Sequence, residues 1–388
     1  MPHHRRAVLA AAVGLGLPSL AWAASKACKG RKAYAGPPPR APLGDEVFAA
    51  AALAGAPPLA PTAEAGLSAR FVQADVHMQA QALTAAVATA EGRLWTQTRA
   101  TGTADRFFWA SVGKAYTASA VLQMVEEGRL SLDATLDRWA PAATNARWIT
   151  VEDLLAHTGG LYSFQSDPAL RATPGYKSPA QLLAAAQAHP PVFCPGEAWG
   201  YSNTGYVHLG RIIEAVDGVS FAEALTRRIV QRLGLAETDI LAPGHIPTGL
   251  APLSTSAADG ASDDVATPYA AGAVAASAAD VVRFWRALVS NRLHGADLTR
   301  RRFARLLPMN GVRPAFYGLG VMVSDLAAVD PRATDTWLGH AGGLPGASAT
   351  VAYSREKNAF VAVALTGEGS PEATANLLLA GLPDVTSG

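Results

Sequence analysis

Apolar residues Ala115, Ala118, Val121, Leu122 and Val125 recur at helical spacing, which predicts a helix from Ser111 to about residue 127. Gly128 follows as a C′ glycine that ends it. Upstream, residues 83–90 and 93–98 flank Glu91-Gly92 and predict a β-hairpin with a tight turn. Further helices are expected over 151–157, 179–189, 206–216 and 221–233. Ser277 with Asp280 has the spacing of a capping box that opens another helix, running to about residue 290. Toward the end, short β-branched or alternating runs predict strands over 318–324, 347–353 and 359–366, the last two joined by the polar turn 354–358. An apolar helix over 371–379 closes the pattern.

Strands near both ends with helices between them indicate an α+β body into which a mostly helical region, about residues 125–265, is inserted. Residues 24–66 are rich in alanine, proline and glycine and contain Pro37-Pro38-Pro39. They read as an arm or linker with one short helix over 45–54, and residues 67–388 as the folded domain. The first 23 residues carry Arg5-Arg6, an apolar stretch to Leu20 and the small-x-small site Ala21-Trp22-Ala23, the pattern of a signal peptide. A retained anchor is the competing reading, against which stand Pro18 and the glycines that interrupt the short apolar run. The expected location is therefore periplasmic or secreted, and the paired arginines permit twin-arginine export.

Composition narrows the functional classes. The chain has 388 residues, 49% apolar and 16% charged, with a formal net charge of +1. Such a balance leaves no field to gather nucleic acid or an anionic membrane. Partners are expected to be a small-molecule or peptide substrate, with oligomeric state open and no stable membrane span. Two cysteines, Cys28 and Cys194, cannot form a structural zinc site, and no ligand spacing for another metal is present. No cofactor is expected. An oxidising compartment would let the two cysteines pair, but Cys28 lies in the arm, so the sequence leaves the disulfide open.

Three short stretches can carry chemistry. In Ser111-Val-Gly-Lys114 a hydroxyl and an amine three residues apart share one helix face. The ammonium would stabilise a developing alkoxide, or the amine would act as base if burial lowered its pKa. Taken alone, Ser111 reads as a helix cap. A second serine-x-x-lysine at Ser354–Lys357 reads as an exposed hairpin tip. Tyr201-Ser202-Asn203 follows the turn Pro195-Gly196-Glu197; near a lysine, Tyr201 could ionise and shuttle a proton, and Asn203 could hold Lys114 and a substrate carbonyl. Alone, such a tyrosine is a core residue. Gly339-His340-Ala-Gly-Gly343 precedes the strand at Ala347, where glycines let a strand edge approach a ligand. A backbone N–H near Gly343 could join that of Ser111 as an oxyanion hole, with His340 pointing into the same cleft. His157 reads as a loop residue, His208 as a core histidine and Cys194 as packing or disulfide.

In order, spacing and context these stretches resemble the serine β-lactamase and D,D-peptidase superfamily, in the branch similar to class C β-lactamases. Val125-Glu-Glu-Gly-Arg-Leu-Ser-Leu-Asp133, residues 149–161 with His157-Thr-Gly-Gly160, and Tyr317-Gly-Leu-Gly320 are similar to supporting stretches of that superfamily. The likeness covers roughly residues 80 to 380. It implies an α/β sandwich, an antiparallel sheet flanked by helices, with the cleft between sheet and helical region. It further implies acylation of Ser111, proton transfer shared by Lys114 and Tyr201, and substrate binding by Asn203, His340, Gly342 and Gly343. Which of Lys114 and Tyr201 is the base stays open.

The third motif departs from the superfamily's lysine-threonine-glycine. Histidine at position 340 is only partly charged near neutral pH, and Ala341 lacks the hydroxyl. Both changes weaken the grip on a β-lactam carboxylate. An esterase or D,D-carboxypeptidase-like activity on an ester, D-amino-acid peptide or amide is therefore expected first, and a true class C-like β-lactamase second. A penicillin- or peptidoglycan-binding sensor with little turnover is the alternative of another class.

Overall fold

The computed structural model describes residues 27–45, 47–48, 61–89, 93–100, 104–253, 265–309, 315–326 and 335–382. Its strands are β1 (Ala80–Thr89), β2 (Leu94–Arg99), β3 (Phe107–Phe108), β4 (Thr238–Ile240), β5 (Val274–Ala276), β6 (Leu307–Pro308), β7 (Ala315–Tyr317), β8 (Met322–Asp325), β9 (Thr336–Leu344), β10 (Ala347–Ser354) and β11 (Ala359–Gly367). Eight of them form one antiparallel sheet in the order β2-β1-β11-β10-β9-β8-β7-β6. A smaller antiparallel sheet, β3-β5-β4, supports the segment before Ser111.

The large sheet is covered on both faces, and β11 shows how the sequence does it. Phe360, Ala362 and Ala364 turn to one core, shared with helix α8 (Ala278–Val289), while Val361, Val363 and Leu365 turn to the other. That second core is closed by α1 (Pro61–Val76) and α10 (Pro371–Leu379) through Leu67, Phe71, Ala375 and Leu378. Two apolar faces make a continuous apolar run, which is why the pattern there does not alternate. Trp285 of α8 fixes the helix on the sheet by donating its indole N–H to the Leu338 carbonyl at 2.8 Å.

The helical part comprises α2 (Gly113–Glu126), α3 (Val151–Ala156), α4 (Pro168–Ala172), α5 (Pro179–Gln187), α6 (Asn203–Asp217) and α7 (Phe221–Leu225), which continues as a π-helical turn, Thr226–Gln231. Helix α9 (Ala296–Arg302) follows α8. The α+β architecture with an antiparallel sheet flanked by helices is as expected.

Several local expectations are corrected. The strand expected over 318–324 is instead the turn between β7 and β8 and most of β8, with Gly320 at φ +72° in the turn, where no β-strand continues. Residues 336–344 form a strand of their own, so the third motif lies within β9 rather than ahead of the strand at Ala347. Ser277 caps α8, but Asp280 does not complete the box: its carboxylate accepts from the Glu237 N–H and the Thr238 hydroxyl instead. Ser354 is fully buried and donates to Asp335, so only part of the second serine-x-x-lysine is an exposed tip. In the arm, residues 45 and 47–48 are helical, and the rest of the helix expected over 45–54 lies outside the described residues, as do residues 1–26.

Candidate active site

The turn that carries Ser111 is built by burying aromatics. Phe107 and Phe108 pair with β5, and Trp109, fully buried, donates its indole N–H to the Ala276 carbonyl at 2.9 Å. Ala110 then adopts φ +45°, a left-handed conformation that disfavours a residue with a Cβ by about 1–2 kcal/mol. Ser111 lies in a 3-10 turn, Ala110–Val112, and α2 proper starts at Gly113. Its hydroxyl caps neither element, so the bland reading as a helix cap does not hold.

Lys114 lies one turn on, wholly buried, with Nζ 3.0 Å from Ser111 Oγ and 2.6 Å from the Ala271 carbonyl. No carboxylate accompanies it in these contacts, and burial lowers its pKa well below the usual lysine value. The Ala271 carbonyl reaches it because Gly113 and Gly272 pack backbone to backbone. Thr117, one turn further, ties the same loop by donating to the Ala270 carbonyl at 2.7 Å.

Tyr201 donates its hydroxyl to Ser111 Oγ at 2.9 Å, and Lys114 Nζ stands 4.9 Å from its ring centroid. Burial raises the phenol's pKa. Burial outweighs the hydrogen bond to Ser111, which pulls the other way, so the surroundings favour the protonated phenol over a resting phenolate.

The loop His157–Gly160 is the template for this tyrosine. His157 ends α3 in the left-handed conformation, accepts the Ser202 N–H on Nδ1 at 3.2 Å and the Gly200 N–H on its carbonyl at 3.0 Å. Its ring lies 4.3 Å from that of Tyr201. His157 is thus the loop residue expected, but one that holds the backbone on both sides of Tyr201.

Asn203 opens α6 and gives its side-chain N–H to Gln165. No bond to Lys114 forms; Ala271 takes the place expected for Asn203. Its Oδ1 is left buried without a protein partner, beside the exposed Gln165. The sequence offered no signal for Gln165, a lone polar residue in a loop without a motif.

His340 does not point into the cleft as a cation. It is buried, its Nδ1 is 2.6 Å from the Ala341 carbonyl, and its Nε2 is 3.0 Å from the Tyr317 hydroxyl. A carbonyl only accepts, so Nδ1 carries the proton and Tyr317 donates to Nε2. Burial pushes the imidazole down to about 3, which favours its neutral form at physiological pH. Gly342 stands against the Ser111 turn: a Cβ there would meet the Trp109 carbonyl at 2.4 Å and the Ser111 nitrogen at 2.8 Å. Pairing between β8 and β9 ends at Gly339, so the strand edge from His340 to Leu344 is left to face the Ser111 turn.

His208 is the core histidine expected, pushed down to about 4 by burial. It borders a cavity of about 250 Å³ behind α6, with Tyr162, His189 and Thr204, that does not include Ser111. Cys194 is bonded to Cys28. Among the described residues, no cluster of three His, Cys, Asp or Glu side chains could hold a metal, and no helix is long and apolar enough to cross a membrane.

The family profile described as Beta-lactamase matches residues 69–382. Among curated relatives, penicillin-binding protein 4 of Amycolatopsis lactamdurans is 33% identical over 231 residues, 56% of this chain and 57% of that one. Esterase EstB of Burkholderia gladioli is 31% identical over 166 residues, 36% of this chain and 42% of its own. The matched stretches thus span less than two thirds of these relatives. A solved D-stereospecific amidohydrolase from Streptomyces sp. superposes with a TM-score of 0.72 at 29% identity, covering 82% of this chain and 99% of that one.

Proposed function

The chain belongs to the beta-lactamase family, and from that premise we propose that it is a serine hydrolase that forms an acyl-enzyme on Ser111. The observation that carries the reading is that one hydroxyl, Ser111 Oγ, lies within 3.0 Å of the Lys114 amine and the Tyr201 phenol at once.

The directions of the two pKa shifts divide the work. Lys114, lowered by burial, is the base that takes the serine proton as Oγ attacks the carbonyl carbon. Tyr201, raised and therefore protonated, gives its proton to the leaving group. The backbone N–H groups of Ser111 and Gly343 hold the developing oxyanion. The resulting tyrosinate then takes a proton from the attacking water, and the Lys114 ammonium returns one to Ser111 Oγ as the acyl group leaves. Every proton is accounted for, and no metal is needed for the balance.

The substrate class is an ester or a D-amino-acid amide or peptide. Relatives named as an esterase and as a D-stereospecific amidohydrolase support it, and so does the neutral state of His340, which offers no cation to a β-lactam carboxylate. Export is part of the same proposal, supported by Arg5-Arg6 with the apolar stretch after it and by a disulfide suited to an oxidising compartment.

Intact mass after brief exposure to a short p-nitrophenyl ester, a D-amino-acid amide or a penicillin, beside Ser111→Ala, tests the reading. A Ser111-dependent adduct or turnover with the ester or amide is expected. A persistent penicillin adduct without turnover of either would replace the enzyme with a penicillin-binding sensor, and rapid penicillin hydrolysis would make it a β-lactamase.

A further inference from the structure

The segment from Cys28 to Arg40 is not a free linker. It begins on the helical region, where the Cys28 N–H donates to Asn145 Oδ1 at 2.8 Å and Arg31 grips the buried carboxylate of Asp153. It ends on the sheet, where Arg40 makes a two-pronged ion pair with Asp325 at 2.7 and 2.9 Å and bridges to Leu306. Between these anchors it runs along residues 194–197: the Lys32 N–H donates to the Pro195 carbonyl at 2.9 Å and the Ala35 N–H to the Glu197 carbonyl at 2.8 Å. The approach is close enough that a Cβ on Gly196 would stand 2.6 Å from the Lys32 carbonyl oxygen. Cys28–Cys194 closes the junction covalently.

On its other side the same stretch is held by the His157–Gly160 loop: the Gly196 N–H donates to the Thr158 carbonyl at 2.9 Å and the Gly200 N–H to that of His157 at 3.0 Å. Tyr201 follows directly. The stretch that delivers the tyrosine is therefore clamped between a loop of the domain and a segment brought from the N-terminal arm.

We propose that residues 28–40 are a strap that positions Tyr201, and that the Cys28–Cys194 disulfide is its redox-sensitive latch. The inference rests on the reading of Tyr201 as the proton donor and adds regulation to that site. A small dithiol opens the latch in two thiolate exchanges: one sulfur–sulfur bond breaks, two electrons pass to the cysteines as two thiols, and the reagent closes into its cyclic disulfide. With the latch open, the strap holds residues 194–200 only through its ion pairs and two backbone hydrogen bonds, so this clamp loosens and Tyr201 samples positions away from Ser111. The loss is expected to fall chiefly on the chemical step, because Tyr201 is the displaced group, while Asn203 is held separately by its N–H to Ser163 Oγ at 3.1 Å and its amide to Gln165.

The test compares oxidised protein, protein reduced with dithiothreitol to two titratable thiols, and Cys28→Ser/Cys194→Ser. Exchange of the Gly196, Gly200 and Ser202 amides is expected to rise at least about tenfold on reduction, while amides of β11 stay unchanged. With the better ester or amide substrate, kcat is expected to fall about tenfold at nearly constant KM. Should the reduced protein unfold, Ala35→Pro, with the disulfide intact, removes one strap hydrogen bond and is expected to shift both readouts the same way, by less. Unchanged exchange with both thiols free overturns the latch. Faster exchange with unchanged kcat overturns its control of Tyr201. If oxidised protein acylates with no probe, the hydrolase reading fails instead, and the exchange data still decide the strap.

Discussion

Gly113 and Gly272 pack backbone against backbone, so closely that a Cβ on Gly113 would stand 3.0 Å from Gly272 Cα. The contact sets the Ala271 carbonyl 2.6 Å from Lys114 Nζ and so fixes the amine beside Ser111. Gly113→Ala is expected to push the 270–272 turn outward and release that bond. A hydrogen bond of this kind contributes about 1 kcal/mol net, so kcat/KM should fall about 5- to 10-fold, with the Ser111 adduct still forming. Rates with a p-nitrophenyl ester check this; unchanged rates would mean that Ala271 does not orient the lysine.

The pH profile follows from which group is the base. Lys114 is lowered by burial, so the active, neutral amine becomes populated below the ordinary lysine range, and kcat/KM should rise to a plateau well under pH 10.5. Lys114→Met should remove this limb together with roughly 10²–10⁴ of the rate. Lys114→Arg should do no better, because a guanidinium does not give up its proton. A wild-type profile still rising at pH 10 would contradict a neutral resting lysine.

Tyr201→Phe keeps the ring and deletes the donor to Ser111 Oγ. Leaving-group protonation is lost, so kcat should fall by roughly 10²–10³ for an amide. The loss should be smaller for a p-nitrophenyl ester, whose leaving group needs no proton. Equal losses with the two substrates would place Tyr201 in a different step.

The candidate residues Ser111, Lys114, Tyr201 and Asn203 were legible because short motifs name them, and the strand over 359–366 because its run is apolar and rich in valine; that its two faces enter separate cores is set by packing. Less legible was everything set by long-range approach. No local pattern says that His340 would meet Tyr317 from a neighbouring hairpin, which turns an expected half-charged ligand into a neutral, buried acceptor. Gln165 sits in a loop with no code, and its partner Asn203 is 38 residues away. The strap escaped for the same reason: a segment of alanine, proline and glycine carries no periodicity, and its anchors Arg31 and Arg40 pair with acids more than a hundred residues distant.

Gln165→Ala tests a residue beside Asn203 that no motif marks. It frees the Asn203 amide to rotate, and removes an exposed donor beside the buried Asn203 Oδ1. With one orienting hydrogen bond lost, KM for a D-amino-acid amide should rise about 5- to 10-fold while kcat changes little. A fall in kcat alone would show that Gln165 acts on the chemical step rather than on binding.

Buried neutral histidines make the fold sensitive to acid. His340 and His294 are pushed down to about 3 and His208 to about 4, each by burial first, from an ordinary 6.5. Between these values the unfolded chain binds protons that the folded protein does not, so stability is full above pH 6.5 and declines as pH falls toward 4. Each histidine contributes at most roughly 1.4 kcal/mol per pH unit in that window, and three together reach a sizeable part of a typical 5–15 kcal/mol. The ion-paired carboxylates of Asp217 and Glu127 are lowered below their ordinary values near 4, so their contribution fades only at lower pH. The unfolding midpoint in urea should therefore fall steeply from pH 6.5 to 4.5. His208→Phe, at a residue that lines a cavity without Ser111, should flatten that slope by about one proton without altering the pH dependence of hydrolysis. Identical slopes for the variant and the parent would mean that His208 is already protonated in the folded protein, and that burial does not hold it neutral.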